Sequence, residues 1–322
     1  MYNIAIIGSG QLGSRHLQGI KTAGLSLSIE VVDSNIEALK IAEDRYNEIG
    51  GNHYIKNVNF LSSIEELSDS LDLVIIATSS APRFLITRNL IEKKHVGNII
   101  FEKVLFQNEE SFFAVKNLLK SNNIKAWVNC PRRMYDYYNE IKRELNKEDK
   151  LIFTVFGGDW GLGCNSIHFI DLFSYLSRQK SYTLLTDGLN KRIYPSKRSG
   201  YIEFCGILSG TTERGDILNL ISQENSTTTP LVSIVSQNKK YVIDETKGYM
   251  TSFKDNRWET KKITVPYQSQ LTGRLIEAIL LNKNSKITEY EESMNLHLPF
   301  ISSLLDFYNS LNGENILNCP IT

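Results

Sequence analysis

Four cysteines in 322 residues are too few and too scattered to organise a fold. Cys130, Cys164, Cys205 and Cys319 make no C-x-x-C pair, which excludes both a disulfide framework and a zinc-ligand spacing. Free thiols in a reducing compartment are the simplest reading. Charge of one sign is lacking too: Lys plus Arg is 36 and Asp plus Glu is 36, a formal net charge of zero. That balance argues against nucleic acid or an anionic membrane as a partner. No apolar run approaches the roughly 20 residues that a membrane span needs, and Leu73–Ala77 is only a strand in length. Met1–Ile7 carries neither the basic stretch nor the cleavage site of an export signal, so a cytoplasmic location is expected. Repeats and low-complexity segments are missing as well. What remains is a globular composition, 41% hydrophobic and 22% charged, in a chain long enough for two domains.

The first part alternates short apolar runs with helical spacings. Strands are expected at Asn3–Ile7, Ser28–Val32, Leu73–Ala77, Asn98–Phe101 and Lys125–Asn129. Helices are expected at Gln11–Ala23, Asn35–Glu48, Arg83–Lys94 and Glu109–Lys120. Strand-helix alternation with wholly apolar strands implies a doubly wound parallel sheet, an α/β Rossmann-type domain over residues 1–129. From about residue 130 the pattern changes. A strand at Leu151–Phe156 and an apolar helix at Ser166–Leu176 precede a series of strands between Tyr182 and Val265. Helical stretches follow at Leu271–Leu281 and Tyr290–Leu311. Residues 130–322 therefore read as an α+β domain with a mostly antiparallel sheet, and a C-terminal helix is expected to return to the first domain.

Gly8-Ser9-Gly10-Gln11-Leu12-Gly13 is a complete G-x-G-x-x-G between a strand and a helix, the context that gives this pattern meaning. Gly8 permits the tight turn, Gly10 lets the backbone approach a pyrophosphate, and Gly13 lets helix and strand pack closely. The helix N-terminus offers unpaired N–H groups and partial positive charge to phosphates. Asp33 ends the second strand, 25 residues beyond Gly8, where a carboxylate accepts both ribose hydroxyls and repels a 2′-phosphate. NAD is therefore expected over NADP, with an ordinary tight turn and a helix cap as the alternatives for the glycines and Asp33. Ala77, Thr78 and Ser79 end the central strand and are expected near the nicotinamide ribose.

Glu102 and Lys103 follow the strand Asn98–Phe101, so the pair should face the same crevice. A lysine whose charge is disfavoured by burial is a competent proton donor and acceptor. Glu102 either holds a ribose hydroxyl or orients Lys103, and a solvated loop is the alternative for both. His168 lies on the apolar helix and has the chemistry for proton transfer near neutrality, or packs as an ordinary helix residue. Asp171 shares its face and is expected to support it. Arg132 or Arg133 can grip a carboxylate or phosphate through the planar guanidinium, or form surface ion pairs. Trp160 sits in a glycine-rich stretch, Gly157–Gly161, expected to be a loop covering the substrate. Tyr135, Tyr137 and Tyr138 line a sugar site or belong to the core. His16 is read as structural.

Over nearly its whole length the sequence resembles the Gfo/Idh/MocA oxidoreductases. The likeness runs through Ile4–His16 (IAIIGSGQLGSRH), Ala77-Thr78, Ile99–Lys103 (IIFEK), Asn129–Arg133 (NCPRR) and Cys164–Leu172 (CNSIHFIDL). It implies a nicotinamide cofactor and hydride transfer at a carbinol or carbonyl carbon of a sugar, cyclitol or sugar nucleotide. It also implies an open-faced C-terminal sheet that builds homo-oligomers, dimers or tetramers. Two positions depart from the family pattern. Val104 stands where proline usually follows Glu-Lys, and Cys164 stands where an aspartate often precedes the histidine by four residues. Asn165 can hydrogen-bond a substrate but is no base, so the proton role falls on Lys103, with His168 assisting. The resulting assignment gives the cofactor Gly8, Gly10, Gln11, Leu12, Gly13, Asp33, Ala77, Thr78, Ser79 and Glu102. It gives the substrate Lys103, Arg133, Trp160, Asn165 and His168, and it needs no metal. Two other functions share these features: a dehydratase, epimerase or glycosidase that uses bound NAD transiently, and a nucleotide-sensing regulator without catalysis.

Overall fold

The computed structural model describes residues 1–283 and 285–322. The chain forms two compact units: residues 1–106, 110–131 and 266–291, and residues 107–109, 132–265 and 292–322. The first begins with β1 (Tyr2–Ile7), α1 (Gln11–Ile20), β2 (Leu27–Val32), α2 (Ile36–Asn47) and β3 (Ile55–Leu61). It continues with β4 (Leu73–Ile76), α3 (Ser80–Lys93), β5 (Asn98–Phe101), α4 (Glu109–Ser121) and β6 (Lys125–Val128). These six strands are parallel, in the order β6-β5-β4-β1-β2-β3. Ile4, Ala5, Ile6 and all of β4 are fully buried, as apolar strands covered by helices on both faces must be. The sheet is built outward in both directions from β1 and β4, so its switch point lies at their C-terminal ends.

Differences from the sequence expectation in the first unit include β3 and the start of α3. β3 is an added edge strand; its Lys56, Asn57 and Asn59 are exposed, and polar edges of this kind carry no apolar run to detect. α3 begins at Ser80 rather than Arg83. Pro82 falls in its first turn, where no intrahelical N–H is needed.

In the second unit, α5 (Asp136–Glu144) is followed by β7 (Ile152–Gly158), α6 (Leu162–Ser177), β8 (Thr183–Leu185), β9 (Gly206–Thr211) and β10 (Ile217–Gln223). β11 (Leu231–Val235), β12 (Lys240–Asp244), β13 (Tyr249–Lys254) and β14 (Arg257–Lys262) complete it. The order is β8-β9-β10-β7-β11-β12-β13-β14, antiparallel throughout except for the β10–β7 pair. Burial alternates along the strands. Phe153, Val155, Leu218, Leu220, Ile234 and Ile243 form the covered face. On the other face Ile152, Phe156, Ile207 and Ile217 remain between 38% and 44% exposed, so the sheet is open on one side.

The chain then returns to the first unit through α7 (Gln268–Leu280) and β15 (Thr288–Glu289), which pairs antiparallel with β6. It ends in α8 (Tyr290–Asn312). The returning helix is α7, which lies against α1 so closely that a Cβ on Gly19 would come within 2.8 Å of the Thr272 side chain. Among the described residues, no helix is long and apolar enough to cross a membrane.

Candidate functional site

The glycine loop has three distinct geometries. Gly8 adopts φ +95°, and a Cβ there would lie 2.9 Å from the Thr78 amide nitrogen. A Cβ on Gly13 would lie 1.8 Å from the Gly8 carbonyl oxygen, which is what holds α1 hard against β1. Gly10 is the opposite case: a Cβ would meet nothing within 4 Å. The chain therefore leaves space only at the middle glycine. Gly10 also has no side chain with which to cap α1, so the N–H groups around Gln11 and Leu12 stay available at the positive helix end. Both observations fit a dinucleotide pyrophosphate seated at this turn.

Asp33 is fixed beside that loop. Its Oδ2 accepts from the Ser9 backbone N–H (2.7 Å) and the Ser9 hydroxyl (3.0 Å), and its Oδ1 accepts from the Asn35 N–H (2.9 Å). The capping alternative for Asp33 passes to Asn35, whose side chain accepts from Glu37 and Ala38 at the start of α2. Ala77, Thr78 and Ser79 form the turn from β4 into α3, with Ser79 at the N-cap. The Thr78 hydroxyl is buried and has no hydrogen-bond partner among the described residues.

Glu102 and Lys103 leave the end of β5. Lys103 is half-buried, and the Lys103–Val104 peptide bond is cis. Glu102 is only 2% exposed, and its Oε1 accepts from the Asn129 amide (2.6 Å) and lies 2.8 Å from His16 Nε2. Contact with a ribose hydroxyl and orientation of Lys103 are the two expectations for Glu102; in the structure its Oε1 is taken by His16 and Asn129. Burial alone would push this carboxyl up, but His16, the Asn129 amide and the Lys103 charge hold it below its usual value.

The same loop is braced by Arg83, which sequence reasoning did not single out. Arg83 is 1% exposed. Its guanidinium donates to the carbonyls of Thr78, Val104 and Leu105, tying the β4 turn to the segment just beyond Lys103. No motif marks this arginine; it sits in a helix start whose place was misjudged by three residues.

In the second unit, α6 starts at Leu162, four residues before the expected Ser166. Cys164 and Asn165 are therefore in its first turn and not in a preceding loop. His168 is half-buried one turn later. Gly161 and Gly163 hid the helix start, and the structure shows why they are there. The Glu203 carboxylate accepts from the Gly163 N–H (2.7 Å) and the Cys164 N–H (3.3 Å), and a Cβ on either glycine would approach it to 3.0 Å. Glu203 thus caps the helix that carries His168, another residue with no sequence signal. Asn165 donates to the Trp160 carbonyl (2.7 Å), and the Trp160 indole donates to the Ile221 carbonyl (2.7 Å) while meeting the Phe169 ring edge-on. The Trp160 segment is anchored to β10 and α6 by these bonds.

The arginines are already paired. Arg133 is 7% exposed; it donates to Asp171 (2.8 Å) and to Glu292 (2.8 Å). The guanidinium expected to grip a substrate anion is thus occupied by two internal carboxylates, and Asp171 is fixed by it. Arg132 forms a two-pronged pair with Glu245 (3.0 and 2.7 Å), which also accepts from Tyr137 and Tyr138. Those tyrosines and Tyr135 are buried, which favours the core reading over a sugar-lining one. Lys103 belongs to the first unit and His168 to the second.

A parallel sheet with a G-x-G-x-x-G turn at its switch point and an acidic residue ending β2 defines an NAD(P)-binding Rossmann domain, here followed by an α+β unit. Residues 2–130 match the Gfo/Idh/MocA model, described as an oxidoreductase family with an NAD-binding Rossmann fold. Solved structures share the fold over almost the full length. UDP-N-acetylglucosamine 3-dehydrogenase from Acidithiobacillus ferrooxidans has a TM-score of 0.67 at 15% identity, over 94% of this chain and 96% of that one. A putative myo-inositol dehydrogenase from Sinorhizobium meliloti has a TM-score of 0.67 at 12% identity, over 96% and 98%. A super-repressor mutant of Gal80p from Saccharomyces cerevisiae has a TM-score of 0.72 at 12% identity, over 99% and 98%. A sequence search of curated proteins matches none.

Proposed function

We propose that the chain is an NAD-dependent oxidoreductase acting on a hydroxyl or carbonyl carbon of a sugar, cyclitol or sugar nucleotide. The observation that carries this reading is the glycine turn, closed at Gly8 and Gly13, open at Gly10, and flanked by an Asp33 carboxylate held by three donors. Gly8–Gly13 would hold the pyrophosphate, Asp33 the adenosine ribose, and Ala77, Thr78 and Ser79 the nicotinamide end. A carboxylate fixed in this way repels a 2′-phosphate, which supports NAD over NADP. The cofactor, when bound, accepts a hydride from the substrate carbon or returns it.

The chain's own part is proton transfer and positioning. Lys103 takes the proton from the substrate hydroxyl during oxidation and gives it back during reduction. His168 assists, on a helix whose first turn is fixed by Glu203. Asn165 and Trp160 shape the turn that precedes His168. The pairing of Arg133 with Asp171 and Glu292 supports a role in positioning Asp171 and the helix rather than in gripping an anion. The dehydrogenases among the similar structures support a carbohydrate-like substrate. The open sheet face supports packing against a second copy, as a dimer or tetramer, and the neutral charge balance argues against a nucleic-acid partner. A regulatory reading keeps one observation in its favour, Cys164 at the place of the family's aspartate, together with the fold shared with a Gal80p repressor.

The test is a panel of neutral sugars, cyclitols and nucleotide sugars incubated with the protein and NAD, read as NADH absorbance. Steady NADH formation with at least one compound is expected. Tight NAD retention with no net NADH across the panel would favour the transient-redox or regulatory alternatives.

A further inference from the structure

A short antiparallel pair in the second unit, Tyr194–Pro195 with Ile202–Glu203, carries a turn over residues 196–201. The turn is closed by the Ser196 N–H, which donates to the Tyr201 carbonyl (3.0 Å), and by the Tyr201 N–H, which donates to the Arg198 carbonyl (3.2 Å). Both arms of this hairpin meet the first turn of α6. The Ser196 hydroxyl lies 3.8 Å from Cys164 Sγ, and from the other arm the Glu203 carboxylate accepts from the Gly163 and Cys164 N–H groups. The hairpin is therefore fixed against the turn that carries Asn165 and leads to His168.

Its charge is one-sided. Lys191, Arg192, Lys197 and Arg198 fall between Asp187 and Glu203 with no acidic residue among them, in a chain whose Lys plus Arg and Asp plus Glu are equal at 36 each. All four are exposed, and among the described residues none forms an ion pair. Two carboxylates at the base of the hairpin are taken by other donors, Glu203 by the helix N–H groups and Glu224 by the Tyr194 hydroxyl. Tyr194 also accepts from the Asn190 amide (3.0 Å), and the Arg192 guanidinium lies over its ring, 5.3 Å from the centroid. Lys197 and Arg198 follow Ser196 directly, one and two Cα steps of about 3.8 Å from the residue that meets Cys164. Four cations without counter-charge on one short segment create a field that attracts anions. A neutral sugar gains nothing from it. A phosphate gains charge-assisted hydrogen bonds, two-pronged from the arginines and point-like from the lysines.

We propose that this basic hairpin binds phosphate on the substrate, and that the substrate is therefore a phosphorylated sugar, either a sugar phosphate or a nucleoside-diphosphate sugar. The inference rests on the proposed function and narrows its substrate class. Held by its phosphate, the substrate presents its sugar ring to the first turns of α6. Lys191, Arg192, Lys197 and Arg198 select the substrate and take no part in proton or hydride transfer. Free sugars and cyclitols lack the group that these side chains hold, so they are poor substrates on this reading.

The experiment is calorimetric titration of the full-length protein, with and without NADH, using glucose, myo-inositol, glucose 1-phosphate, UDP-glucose, dTDP-glucose and GDP-mannose. At least one phosphate-bearing compound is expected to bind, and to bind more tightly than either neutral one. Lys197→Ser combined with Arg198→Ser should weaken that binding at least about tenfold, the loss expected when a charge-assisted contact is removed. Lys191→Ser combined with Arg192→Ser should weaken it in the same direction. Binding should also fall as salt is raised towards 1 M, where the screening length is about 3 Å. Lys262→Ser, at an exposed position of β14, is the control and should change nothing. Glucose 1-phosphate binding as tightly as the nucleotide sugars identifies a sugar phosphate; binding of nucleotide sugars alone identifies a nucleoside diphosphate. Phosphate-bearing compounds that bind both double variants as they bind the wild type, that bind no better than the neutral ones, or that do not bind at all would overturn the proposal. NADH titration of the same preparations should be unchanged by the hairpin variants. Its failure in the wild type would remove the proposed function and leave the anion binding of the hairpin as a separate result.

Discussion

Lys103→Met is expected to bind NADH as the wild type does and to turn over at least about a hundredfold more slowly, the loss typical of a missing acid–base group. Methionine keeps the unbranched stem and removes only the amine. The segment beyond Lys103 is held through backbone carbonyls, because Arg83 donates to Val104 and Leu105, so the loop does not depend on the lysine side chain for its path. The residues assigned to the dinucleotide lie elsewhere, on the glycine turn and at Asp33. Binding and turnover should therefore separate. The check is kcat with the compound found by the panel, beside a fluorescence titration with NADH. Near-normal kcat would move the proton role away from Lys103.

Substitutions in the glycine turn should split along the same geometry. Gly13→Ala places a methyl 1.8 Å from the Gly8 carbonyl oxygen and 2.9 Å from its carbon. Neither is a flexible side-chain end, so α1 must move away from β1. A destabilisation of about 3 kcal/mol, the upper range of overpacking costs, is expected, together with loss of NADH binding. Gly10→Ala is the matched contrast. Its φ of −57° suits alanine, and its Cβ meets nothing within 4 Å. Stability should change by less than about 1 kcal/mol, within the range of a substitution that disturbs no packing. NADH should still bind more weakly, because on the proposed function the methyl stands in the space left for the pyrophosphate. Thermal melts with and without NADH read both effects. Equal behaviour of the two variants would show that the open space at Gly10 is not the cofactor's.

The features legible in the sequence were those with a strict local cause. A parallel strand covered on both faces must be apolar, so β1, β4 and β5 announced themselves. The G-x-G-x-x-G turn is legible because each glycine answers a separate steric demand, and those demands are visible as distances. β3 was not legible, since an edge strand with Lys56, Asn57 and Asn59 lacks the apolar run. The start of α6 was hidden by Gly161 and Gly163, which read as loop residues and are in fact the space into which Glu203 fits. Contacts distant in sequence were the hardest. The bonds from Arg83 to Val104 and Leu105 and those of the His16–Glu102–Asn129 cluster join residues 21 to 86 positions apart, and no local pattern reports that they meet. Arg133 shows the converse case: its chemistry suits an anion or an ion pair, and the fold supplies Asp171 and Glu292 as ion-pair partners.

The central claim is that the first unit binds NAD through the glycine turn and Asp33. Calorimetric titration of the purified protein with NADH and NADPH, repeated with Asp33→Ala, tests it most directly. The account predicts tighter binding of NADH than of NADPH, with that preference lost and NADH affinity lowered in the variant. Absence of binding by either nucleotide would contradict it and reduce the glycine motif to an ordinary strand-to-helix turn.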